Sequence, residues 1–93
     1  MLYAWIGFLK DGAQAVPQQV QHETTDFLAQ PLIKIHLAGP LRDSAGERAA
    51  MMIIFEHDSR ESAELFVRDS PYLRAGLYDD HNLYEYGNEV GSD

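Results

Sequence analysis

The chain has no cysteine, which removes a disulfide framework, a thiolate nucleophile and a cysteine-ligated metal at one stroke. It is also short of positive charge. Seven Lys and Arg stand against fifteen Asp and Glu, for a net charge of −8 at pH 7. That balance argues against a nucleic-acid binder and against a partner of anionic membranes, since both need a basic face. Long apolar runs are missing too. The longest, Leu2 to Leu9, is far short of the ~20 residues of a membrane span, and it lacks a signal peptide's basic flank and cleavage site. No His pair has the H-x-H or H-E-x-x-H spacing of a metal site. No Ser lies in a G-x-S-x-G elbow, and no glycine loop is built to cradle phosphate. What is present is globular composition, 45% hydrophobic and 24% charged over 93 residues, enough for one core and no more. The expectation is a single cytoplasmic domain over residues 1–93, without cofactor or metal, its tail 87–93 frayed.

Residue order then predicts the elements. Leu2 to Phe8 is short and β-rich, and Lys10-Asp11-Gly12 breaks it. Pro17 suits the first position of a helix with Val20, Phe27 and Leu28 on one stripe, and Pro31 stops it. Leu32 to Ala38 alternates, with Ile33, Ile35 and Leu37 on one side and Lys34 and His36 on the other. Gly39-Pro40 is expected to end this strand and open a polar loop to residue 49. Gly39 is expected to take a backbone conformation closed to other residues, or to let Pro40 turn sharply. Ala50 to Phe55, apolar at both parities, reads as a third strand. Ser59 caps a second helix that buries Ala63, Phe66 and Val67, and Pro71 breaks it. Tyr72 to Gly76 adds a turn, and His81 to Tyr86 alternates as the last strand.

The order β-α-β-β-α-β predicts an α+β, ferredoxin-like domain: a four-stranded antiparallel sheet with both helices on one face. Strands one and three belong in the centre. Helices cover only one face, so a second copy of the sheet is the expected partner for the other. The same topology gathers His22, Asp43, Asp69, Ser70, Tyr72 and His81 around one rim and sends His57 to the opposite end. A His beside a carboxylate is a plausible general base, the carboxylate favouring its charged form. The plainer reading of His22 is solvent exposure or pairing with Asp26 one turn on, and Asp43, Asp69 and Asp26 all stay open as its partner. His36, with Lys34, lines either a cavity or a polar dimer interface. Met51-Met52 reads as core packing.

Taken together, several segments resemble the YciI-like (YCII-related) family. They are His22 in the first helix, Ala38-Gly39-Pro40-Leu41, Asp43 and Gly46 in the next loop, and Ser70-Pro71-Tyr72-Leu73-Arg74-Ala75-Gly76-Leu77 after the second helix. The resemblance covers nearly the whole chain, in register. It implies a dimeric α+β barrel closed sheet to sheet and a histidine–aspartate site with His22 as the matching histidine; Asp43, which reaches the same rim, is the aspartate chosen to pair with it. It further implies cofactor-independent chemistry, of the lyase or isomerase kind, on a small cyclic or aromatic molecule, with Gly39, Ser70, Tyr72 and His36 binding substrate. A non-catalytic dimeric module holding a small ligand is the alternative. Two positions depart from the family: Gln19 where Arg is common, and Ser70 where Asp precedes Pro-Tyr, with Asp69 adjacent.

Overall fold

The computed structural model describes residues 1–10, 17–30 and 32–87. The expected breaks at Asp11-Gly12 and Pro31, and all of the expected tail but Gly87, lie outside them. Four strands and three helices follow in order: β1 (Leu2–Leu9), α1 (Gln18–Leu28), β2 (Ile35–Arg42), β3 (Arg48–Glu56), α2 (Arg60–Arg68), α3 (Pro71–Arg74) and β4 (Tyr78–Glu85). The strands form one antiparallel sheet in the order β2-β3-β1-β4. The two strands that are apolar on both faces therefore sit in the middle, as their composition predicts. None of the described helices is long and apolar enough to cross a membrane.

Alternation along the central strands sorts the core. Tyr3 and Trp5 of β1, with Met51, Ile53 and Phe55 of β3, project toward the helices and are buried with Ala63, Val67 and Tyr72. Stacking of Phe27 on Phe66 (4.8 Å), and the tilted contact of Phe66 with Phe55 (4.9 Å), tie α1 and α2 to the sheet. Ser59 caps α2 by accepting from the Ser62 amide, and Glu61 lies in its first turn. The other face has no helix. Phe8, Leu37 and Tyr84 are 49%, 61% and 54% exposed there, beside the half-buried Ile6, Met52 and Ile54.

Strand β2 departs from expectation at both ends. It starts at Ile35 rather than Leu32, and it runs through Gly39-Pro40 to Arg42. Gly39 is extended, not in the positive-φ region, so neither a special conformation nor a sharp turn occurs there. An edge strand tolerates proline because its outward N–H has no ladder partner to lose. The chain reverses later, at Asp43 to Glu47. There Gly46 takes φ +81°, and Asp43 Oδ1 accepts from the amides of Ala45 (2.9 Å) and Glu47 (3.0 Å). The register of β2 on β3 slips between Ile35 and Leu37, and again between Leu41 and Arg42. The first slip puts Leu37 opposite Ile54, on the uncovered face, and ends its shared stripe with Ile35. At α1, Pro17 stands just before the helix, as its cap residue, one position earlier than predicted.

Candidate functional site

A cavity of about 170 Å³ opens between α1 and the sheet. Thr24 and Thr25 line its helix side; Gly39, Pro40 and Arg48 line its sheet side; Tyr72 and Tyr78 form its inner end. The packing follows from the aromatic cluster behind it. Trp5 lies against Tyr72 (5.0 Å) and meets Tyr78 edge-on (5.3 Å), which fixes both tyrosines. Ser70 is fully buried, and its hydroxyl donates to the Val67 carbonyl at 2.6 Å. That bond holds the corner between α2 and α3, and the corner delivers Tyr72.

Tyr72 is 2% exposed, and its hydroxyl has no hydrogen-bond partner that meets good geometry among the described residues. Burial pushes its phenol well above the ordinary value of 10, with the neighbouring Ser70 hydroxyl acting the other way. It is therefore a standing O–H donor at the end of the cavity. Burial also raises Tyr78, and the nearby Arg48 guanidinium offsets part of that shift. An unsatisfied buried hydroxyl costs ~1–3 kcal/mol, so a ligand that accepts from Tyr72 gains what the free chain forgoes.

The other residues picked out by sequence reasoning are scattered around this cavity rather than gathered in it. Gly39 and Tyr72 line it. Ser70 acts one step behind, through the corner it closes. Asp43 is in the hairpin at the end of β2, its carboxylate held by two backbone amides. His22 is exposed on α1 and makes no hydrogen bond or ion pair with a described residue. Helical spacing sets it away from Val20, Thr24 and Leu28, which face the cavity. His36, the residue displaced by the first register slip, has Nε2 at 3.2 Å from Glu56 Oε2. That contact is between two charges only when the imidazole is protonated, and Nε2 is buried with no other partner among the described residues. His81 leaves the expected rim. It pairs with Gly7, two residues short of the end of β1, and its Nδ1 accepts from the Trp5 indole N–H at 3.3 Å. There it borders a second, larger hollow of about 430 Å³ between α2 and β4, with Arg60 and Arg68. No cluster of three His, Cys, Asp or Glu able to hold a metal occurs among the described residues.

Sequence reasoning missed Arg48 and Tyr78. Arg48 was hidden because its orientation depends on the register slip beside it. Tyr78 stands in a turn-like stretch with two aspartates after it, where nothing marks an inward side chain.

The class so defined is an antiparallel α+β sandwich of one sheet and its helices, with a ring-sized hollow between them. One solved structure of that class is the 5-chloro-2-hydroxyhydroquinone dehydrochlorinase of Burkholderia phenoliruptrix, in complex with 2,5-dihydroxybenzoquinone. It matches with a TM-score of 0.81 and 19% identity over 96% of both chains. A second, Rv0793 of Mycobacterium tuberculosis, matches with a TM-score of 0.56 and 11% identity over 97% of both chains. At these identities the likeness is one of fold. No protein-family model and no curated protein matches the chain.

Proposed function

We propose that the chain is a YciI-like protein that acts as a homodimer and takes a small cyclic or aromatic molecule into the α1–sheet cavity for cofactor-independent proton transfer. The observation that carries this is the buried, unpartnered Tyr72 hydroxyl at the end of a cavity of about 170 Å³. A cavity of ~150 Å³ holds a benzene-sized ring. The dehydrochlorinase that shares this fold was solved with a six-membered ring ligand, which supports the same substrate size here. In an elimination or isomerisation, Tyr72 donates to a ring oxygen while His22 takes the proton and Asp43 orients the imidazole. In the free chain Asp43 is held by the amides of Ala45 and Glu47 and His22 stands off the cavity-facing side of α1, so substrate or the second copy has to bring them to the ring. The uncovered sheet face, with Phe8, Leu37 and Tyr84, is the surface for that copy.

One observation favours the second reading, a binding module without turnover. The polar lining of the cavity is threonine, glutamine, tyrosine and arginine, none of which takes up a proton near neutral pH. Titration with 2,5-dihydroxybenzoquinone, followed by amide chemical shifts, tests the site: the shifts belong at Gly39, Tyr72 and Tyr78. Shifts confined to the α2–β4 hollow would dismiss it. Chloride release from chlorinated hydroxyquinols that vanishes in His22→Ala, with ring binding kept, supports the enzyme. Ring binding with no turnover supports the module.

A further inference from the structure

We infer that Arg48 is the anion clamp of the α1–sheet cavity, and that the ring it takes carries an ionised oxygen, a carboxylate or a phenolate. The inference rests on the reading of that cavity as the ligand site and adds the charge of its ligand. The first support is geometric. Counting back along β3 from Met51, which faces the helices, strict alternation puts Arg48 on the uncovered face. The register slip changes this. Leu41 pairs with Ala50 but Arg42 pairs with Arg48, so Ala49 is an extra residue in β3. Such a bulge re-aims the side chain next to it, and Arg48 lines the cavity as a result.

The second support is electrostatic. The same register sets two arginines, Arg42 and Arg48, directly opposite each other across the edge of a chain with net charge −8. Like charges in that position are destabilising unless something neutralises them. Arg42 turns to the Gly46 carbonyl at 3.2 Å. Arg48 has no ion pair or hydrogen bond with a described residue, and its charge reaches the buried Tyr78 phenol. It is half-buried, so its charge is less screened than a surface arginine's. With Tyr72 O–H at the inner end, the cavity offers one cation among neutral donors, which suits a planar monoanion. On the helix side, Gln19 is bonded to Glu23 at 3.1 Å and α1 brings no cation to the lining. The sheet provides it instead.

The test compares ring pairs that differ in charge, followed by chemical-shift titration of the intact chain: benzoate against benzamide, and 4-nitrophenolate against nitrobenzene at mildly alkaline pH. A charge-assisted contact predicts at least about tenfold tighter binding of the anion in one pair or both, and the pair that responds names the anion's source. Arg48→Met should erase that preference, Arg48→Lys should keep part of it, and Arg68→Met, in the other hollow, should leave it whole. Equal affinities within both pairs, or a preference that survives Arg48→Met or disappears in Arg68→Met, would overturn the assignment while leaving the cavity a ligand site. Absence of binding by all four rings would overturn the cavity reading itself, and the clamp with it.

Discussion

Gly7 is a glycine because Trp5 lies across it. A Cβ at Gly7 would come within 2.7 Å of the indole Cζ2 and 3.0 Å of Tyr78 Cδ1. Both rings are packed from behind and cannot give way. Gly7→Ala should therefore cost about 1–3 kcal/mol, the usual range for overpacking, read from the urea midpoint. Gly39 is the opposite case, with nothing within 4 Å of a Cβ, so Gly39→Ala should fold like the parent. Tyr72→Phe removes a hydroxyl that the free chain leaves unsatisfied. Its stability should hold or rise by up to ~1 kcal/mol while ring binding weakens; a clear loss of stability would reveal a partner for the hydroxyl. His22→Ala touches no packed contact and should shift stability by no more than a few tenths of a kcal/mol, so any loss of turnover there reads as chemistry.

At the scale of elements, the bottom of the β2–β3 pair is held by charge. Glu56 of β3 meets His36 at 3.2 Å and Lys34 at 3.7 Å. His36 first, and Lys34 after burial's opposing effect, keep its carboxyl below the ordinary 4.5. Folded Glu56 thus stays ionised where the unfolded chain has begun to take up a proton. The stability it lends is complete above that ordinary value and drains away as pH falls through the lowered one. Thermal melts of Glu56→Gln should show a shallower acid-side decline than the parent; parallel curves would mean the pair is idle. The elements themselves were largely legible, because each rests on a local signal: the Ser59 cap, the Ala63–Phe66–Val67 stripe, and the double apolarity of Leu2–Phe8 and Ala50–Phe55. Strand β2 was not, because its two slips are set by pairing with β3 rather than by its own residues. That one blind spot accounts for the misplaced turn at Gly39-Pro40, for the stripe lost by Leu37 and for the overlooked Arg48. The rim was less legible for a related reason. Topology says which end of the sheet a residue reaches, but the face of α1 on which His22 stands and the amides that hold Asp43 are settled by packing.

For the whole molecule, the asymmetry between a helix-covered and a bare sheet face dominates. Ile54→Lys, with Phe8→Asp as a second probe, should convert a dimer to a monomer in analytical ultracentrifugation without disturbing Trp5 and its neighbours on the covered face. A parent chain that sediments as a monomer would remove the bare face from the functional argument. The covered face has a consequence of its own, which comes from Trp5 being the sole tryptophan. Its ring stands as a party wall: Tyr72 and Tyr78, which line one hollow, press on it, while His81, which borders the other, accepts its N–H. Indole emission responds to both neighbours, so this chain carries a built-in optical gauge. Filling the α1–sheet cavity disturbs the tyrosine side and filling the α2–β4 hollow disturbs the histidine side, so the two events should register as separable changes in intensity and colour of one fluorophore.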